Sequence, residues 1–168
     1  ISYPWKAPAG FTRGLVSNAT SVGYLDTKTG NFKSVVLNNG QRDVLYENNI
    51  NPIAYMKGQG LVLYGQKTRQ GTATVLDRIN AQRYVCSLVY QLEALAKPFL
   101  FENNTEHLRA SVTSTFTRFM SNYVTLEAVY DFIVVCDDTN NTSTTIDAHE
   151  LWIDIAIQIV ETIEFIYI

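Results

Sequence analysis

The sequence predicts an α/β (α+β) fold: a mixed β-sheet with two main helices packed on one face, preceded by a turn-rich, β-containing N-terminal segment. Three observations carry that expectation. Residues 77–97 and 105–123 repeat apolar side chains at spacings of three and four, as one-sided helices do. Residues 151–159 alternate with period two, as a half-buried strand does. Short runs, apolar throughout at 61–64 and nearly throughout at 130–136, suit strands covered on both faces.

Taken in order, Pro4, Pro8, Gly10 and Gly14 break any early helix. A strand is expected within 16–25. A second is expected at Val35-Val36-Leu37, after the turn Thr27-Lys28-Thr29-Gly30-Asn31. Residues 41–48 read as one or two helical turns, closed by Asn49 and Pro52. The run Leu61-Val62-Leu63-Tyr64 is a strand between Gly60 and Gly65, and 67–74 is a polar loop. Gly58, Gly60 and Gly65 read as backbone devices, turns or close approaches.

The first long helix, 77–97, is capped by Asp77 or Asn80. Its stripe is Val85, Leu88, Val89, Leu92, Leu95 and Ala96. Pro98 ends it, because proline has no amide to donate. Phe99-Leu100-Phe101 reads as a short strand. Asn104 or Thr105 caps the second helix, with Glu106 favourable in its first turn. Its stripe is Leu108, Val112, Phe116, Phe119, Met120 and Tyr123. Residues 130–136 are apolar nearly throughout, which places that strand in mid-sheet. A polar loop follows at 137–145. In the next strand Leu151, Ile153, Ile155, Ile157 and Ile159 share one face. Residues 163–168 form a last strand. The expected organisation is a single domain over 1–168, with a turn-rich portion at 1–52 and an α/β sandwich at 53–168, and no internal repeat.

The chain has 168 residues, 46% hydrophobic and 17% charged, enough to bury a core without metal or disulfide. That composition excludes a disordered tail, a collagen-like fibre and a disulfide-dense scaffold. A net charge of -3 argues against a nucleic-acid partner. The apolar runs fall short of the roughly 18–20 residues of a spanning helix, so no membrane insertion is expected. Cys86 and Cys136 sit among apolar neighbours and read as two buried free thiols. The chain opens at Ile1, inside what reads as a structured segment, so a fragment of a longer chain is expected.

Constellations for chemistry are absent. His107 and His149 lie in polar surroundings and read as surface residues. Cys136, Asp137, Asp138, Asp147, His149 and Glu150 are close in sequence, but no zinc spacing joins them. Read as a calcium loop from Asp137, the segment has Thr142 where glycine is needed and Ala148 where the bidentate Glu belongs. No GxSxG or Walker A pattern occurs, and Gly58-Gln59-Gly60 precedes a strand instead of following one. The sequons at Asn18, Asn103 and Asn140 are of a kind that arises by chance in Asn/Thr-rich chains. No catalytic residue, metal or cofactor is expected.

Several stretches are more specific. Tyr3-Pro4-Trp5-Lys6-Ala7-Pro8-Ala9-Gly10-Phe11-Thr12-Arg13-Gly14 is similar to a "P-W-x-A-P-A-G-x-x-R-G" segment. Asn49-Ile50-Asn51-Pro52-Ile53 is similar to "N-x-I-N-P-I", and Gly58-Gln59-Gly60-Leu61-Val62-Leu63-Tyr64-Gly65-Gln66-Lys67-Thr68 to "G-x-G-x-x-x-x-G-x-x-T". Asp77-Arg78-Ile79-Asn80-Ala81-Gln82-Arg83 is similar to an "R-I-N-x-R-R" helix start, with Gln82 in place of a basic residue. Val135-Cys136-Asp137-Asp138-Thr139-Asn140-Asn141-Thr142 is similar to "C-D-x-x-N-N-T". These five stretches, in this order over nearly the whole chain, resemble the contractile tail sheath proteins of myoviruses, with tailocin and type VI secretion sheaths as relatives.

The resemblance implies the inner, C-terminal domain of a structural subunit. Such a subunit self-assembles as stacked hexameric rings in a helical polymer around the tail tube of a bacteriophage. The polymer contracts to drive the tube through the host envelope. Implied partners are other copies of the subunit, the tail tube protein, and the baseplate and tail terminator proteins. The implied location is the virion tail, after assembly in the host bacterial cytoplasm.

Two sets of residues are candidates for contacts. Ile163, Glu164, Phe165, Ile166, Tyr167 and Ile168 form an apolar, β-prone end without the charges that normally guard an edge. A neighbouring subunit's strand extends such an edge through main-chain hydrogen bonds, and the resemblance implies exchanged arms of this kind. Arg78, Arg83, Lys97, Arg109 and Arg118 are candidates for contacts with the tube or a neighbour. Two other readings compete: a monomeric α/β binding module, and a small hydrolase-like enzyme using Asp137, Asp138 and His149.

Overall fold

The computed structural model of the chain describes residues 3–164. The chain forms two compact units, Ile1–Tyr84 and Val85–Ile168.

In the first unit a single helical turn, α1 (Gly10–Arg13), leads into β1 (Leu15–Val16). Gly14 between them is buried. A Cβ there would lie 2.8 Å from the backbone of Gly10 and from the Leu63 carbonyl, so only glycine lets the chain make this turn. The preceding proline-rich segment is held by Arg13, whose Nε donates to the Ala7 carbonyl at 2.6 Å. It is also held by Asn80, whose Nδ2 donates to the Trp5 carbonyl at 3.0 Å. The Trp5 ring meets Tyr3 and Tyr84 edge-on, at 5.2 and 6.2 Å between centroids.

Next comes a hairpin of β2 (Gly23–Leu25) and β3 (Phe32–Ser34). Its turn falls at 27–31 as expected, and Asp26 organises it. The carboxylate accepts from the Lys28 amide at 2.9 Å and pairs with Lys33 Nζ at 2.6 Å. The returning strand is therefore 32–34, directly after the turn, and not Val35-Val36-Leu37. The last hydrogen bond of the ladder runs from the Val35 amide to Val22, beyond which the partner strand ends. Helix α2 (Asn39–Glu47) starts with a capping box: Asn38 Oδ1 accepts from the Gln41 amide and Gln41 Oε1 from the Asn38 amide. Strands β4 (Ile53–Met56) and β5 (Gly60–Leu63) then pair, turning through Gly58 and Gly60 at φ +83° and +86°. With β1 they make an antiparallel sheet of order β1-β5-β4. Leu61 and Val62 in its middle strand are buried, which is why that run is apolar without alternation.

A 3-10 turn (Val75–Asp77) precedes α3 (Ile79–Ala96), whose first residues, with buried Ala81 and Tyr84, belong to the first unit. In the second unit α3 ends in a 3-10 turn (Lys97–Phe99) around Pro98. Helix α4 (Glu106–Thr125) follows, and the Thr105 hydroxyl caps it by accepting from the Leu108 amide at 3.2 Å. Then come β6 (Val129–Val135), the short α5 (Ser143–Asp147) and β7 (Asp154–Ile159). Strands β6 and β7 form an antiparallel ribbon with an irregularity between Val129 and Asp131. The core of this unit is Val112, Phe116 and Cys136, packed by Leu92, Leu95, Leu108, Val134, Ile153 and Ile155 among others.

The α+β class is as expected, but the sheet is not one mixed sheet. Among the described residues there are three separate antiparallel sheets. Phe99-Leu100-Phe101 is not a strand: Phe99 is in the 3-10 turn, and the segment closes the corner between two helices. Strand β6 is not in mid-sheet, since among the described residues it pairs with β7 alone. Cys86 is exposed on α3, and only Cys136 is a buried thiol.

Candidate self-association surface

The β6–β7 ribbon has one face covered and one face open. In register, Val134 lies opposite Ile155, and both pack into the core beneath α4. The next pair, Ile133 opposite Ala156, is exposed, as is Asp131 opposite Gln158. Helix α4 supplies the covering stripe through buried Val112, Phe116, Met120 and Tyr123. Each strand thus has one edge in the β6–β7 ladder and one edge with no strand partner among the described residues. Asp131 covers part of β6, accepting from the Phe132 amide at 2.8 Å. A two-stranded ribbon is marginal alone and accepts a third strand readily.

The ribbon's geometry is set by the loop that joins its strands. Asn141, 1% exposed, uses its amide as a substitute for a ladder rung. Its Oδ1 accepts from the Trp152 amide at 2.8 Å and its Nδ2 donates to the Trp152 carbonyl at 2.9 Å. Asn140 Nδ2 donates to the carbonyl of Val135, at the end of β6, and to the Asp154 carboxylate, at the start of β7. Asp137 accepts from the Thr139 hydroxyl and amide, which hold its carboxyl below the usual range. Burial pushes the Cys136 thiol up, opposed by the Arg109 charge.

Arg109, expected to face the tube or a neighbour, lies inside this network at 6% exposure. Its Nη2 pairs with Asp138, and its Nη1 donates to Asn104 Oδ1 at 2.9 Å. Asn104 Nδ2 in turn donates to the Glu150 carbonyl at 3.1 Å, so the start of α4 is tied to the loop. Of the other candidate cations, Lys97 and Arg118 are exposed in the second unit. In the first unit Arg78 pairs with Asp77 at 2.9 Å and Arg83 is half-buried. The acidic loop does not converge on a centre. Asp137 and Asp138 are engaged as described, His149 is exposed at φ +61°, and no metal-holding cluster occurs among the described residues. Ile163 is 85% exposed, and neither it nor Glu164 is in a strand. Phe165, Ile166, Tyr167 and Ile168 lie outside the described residues.

The phage tail sheath C-terminal domain family matches residues 72–168, more than half of the chain. The chain belongs to that family. The tail sheath protein of Vibrio phage KVP40 is 39% identical over 166 residues, which cover 99% of this chain and 23% of the relative. The sheath proteins it matches are thus about four times longer, with the chain spanning 23 to 24% of each. Among solved structures, the fold is shared with the anti-feeding prophage helical sheath in contracted state. The TM-score is 0.81 at 22% identity, covering 98% of this chain and 44% of that one. It is shared equally with a chain of the anti-feeding prophage baseplate, at TM-score 0.80 and 20% identity, covering 98% and 44%. The sheath domain therefore includes all of the second unit, with the ribbon and its Asn141 loop, and begins within the first.

Proposed function

We propose that this chain is the self-associating part of a contractile tail sheath subunit of a bacteriophage. The full subunit stacks as hexameric rings around the tail tube, in the virion tail, after assembly in the host cytoplasm. The polymer contracts and drives the tube through the host envelope. The observation that supports this most is the β6–β7 ribbon, covered by α4 on one face and with no further strand on its edges among the described residues, in a chain of the tail sheath family. A neighbouring subunit's strand adds to that ribbon through main-chain hydrogen bonds, and the apolar end 163–168 is a donor or acceptor in the exchange. Further copies, the baseplate, the tube protein and the tail terminator are its partners.

The role is structural and needs no catalytic step. Contraction is a rigid-body rearrangement at interfaces, from a metastable lattice to one with better contacts, and uses no nucleotide. Lys97 and Arg118, with Arg78 and Arg83, grip the tube or a neighbour weakly enough to be released. No helix among the described residues is long and apolar enough to cross a membrane.

Deleting residues 163–168 from the full-length subunit tests the reading. The expected result is a soluble subunit that forms no polymer in electron micrographs. Normal polymers from the truncated subunit would overturn it.

A further inference from the structure

The outer edge of β6 is partly occupied by the strand's own side chain. In an antiparallel ladder, main-chain groups face the partner strand at every second residue. The Val160 amide donates to the Ala128 carbonyl, so Val160 faces β6, and by alternation so do Gln158, Ala156 and Asp154. Their register partners Asp131, Ile133 and Val135 face β7 in return. Phe132 and Val134 therefore turn their main-chain groups away from β7, onto the outer edge. There Asp131 Oδ1 accepts from the Phe132 amide at 2.8 Å, in the place that an added strand's carbonyl takes. The register also slips beside it. Val129 lies opposite Ile159 and Asp131 opposite Gln158, which leaves the exposed Tyr130 as an extra residue. A bulge bends a strand, and a charge on an edge opposes a flat neighbour. Both are devices that keep sheet edges from pairing, and here they fall on adjacent residues.

We infer that Asp131 is an edge guard: its carboxylate holds the Phe132 amide in the free subunit and is displaced when a neighbouring subunit's strand adds to β6. The inference rests on the proposed function for that strand and adds its regulation. A strand that adds exchanges a charge-assisted bond at Phe132 for a neutral one, and takes part of a carboxylate out of water. Loose subunits that meet by chance offer one short strand, which does not offset this. A neighbour already held in the polymer presents its strand at high effective concentration, and does. The guard thus suppresses pairing between free subunits and leaves the polymer intact.

The test uses the full-length subunit with Asp131→Ala, which removes the acceptor, and Asp131→Asn, which keeps an acceptor without the charge. In free subunits the Phe132 amide is expected to exchange about tenfold faster in Asp131→Ala than in wild type, the effect of losing one bond to a charged group. Asp131→Ala is expected to melt as wild type does and to polymerise at a critical concentration about tenfold lower. Asp131→Asn is expected to fall between the two. Wild-type exchange at Phe132 in Asp131→Ala, a lower melting temperature for it, or a critical concentration no lower than wild type in both variants would each overturn the guard. A wild-type subunit that never polymerises would instead overturn the proposed function. The exchange at Phe132 then still decides whether Asp131 holds the edge.

Discussion

At the residue scale the second unit depends on side-chain amides that act as backbone. Asn141 replaces a missing rung between β6 and β7, and in the first unit Asn51 does the same opposite Lys67. Asn51 accepts from the Lys67 amide and donates to its carbonyl, both at 2.8 Å. Removing the Asn141 amide leaves the part-buried Trp152 amide without its acceptor, which costs more than the bond alone contributes. Asn141→Ala is therefore expected to lower the unfolding free energy by about 2–3 kcal/mol in urea titrations. A loss within about 0.5 kcal/mol, as at an ordinary surface site, would show that water replaces the rung. Thr105→Ala, by contrast, removes one exposed cap and is expected to cost about 1 kcal/mol by the same measurement. The cap was legible, because Thr followed by Glu and an apolar stripe is a helix-start pattern. Asn141 was not, because a buried asparagine inside a polar run reads as loop until the strands on either side are brought together. Arg109 was misplaced for the same reason: its ion-pair partner Asp138 is near it only in the fold.

At the element scale, what could be read depended on period and length. α4 and β7 were legible because each repeats over several turns or residues. Residues 99–101 were not, since three apolar residues have no period. The corner there is decided by Pro98 and by the start of the next helix. β6 was misplaced because an apolar run does not distinguish a mid-sheet strand from one beneath a helix with exposed Tyr130 and Ile133. The β2–β3 hairpin gives a pH prediction. The Lys33 ammonium, then the Lys28 amide, lower the Asp26 carboxyl below its ordinary 3.8. A depressed acid stabilises the fold above the unfolded value and loses that contribution as pH falls through the folded one. The hairpin amides should thus hold their chemical shifts down to about pH 4 and change only below it. Salt should reduce the effect, since the Lys33 side chain of the pair is exposed. An Asp26 titration at or above 3.8 would contradict this turn geometry.

At the scale of the whole molecule, the second unit combines a closed core with ribbon edges that no other described strand covers. That core closes around Phe116, while among the described residues the ribbon keeps edges without a partner strand. The resemblance carried in five ordered stretches pointed to the family, and the family match over 72–168 agrees with it. The open edge of the β6–β7 ribbon was harder to read, because an edge is visible only after strands are paired. The charged contacts also belong at this scale. The proposed grip of Lys97 and Arg118 on the tube predicts binding that weakens steadily between low and physiological salt, and insensitivity to salt would argue for apolar packing. The central claim is that β6 gains a strand from another subunit. Amide hydrogen exchange across Val129–Val135, compared in free and polymerised full-length subunits, tests it most directly. The account predicts that β6 amides exchange orders of magnitude more slowly in the polymer; equal rates in both states would contradict it.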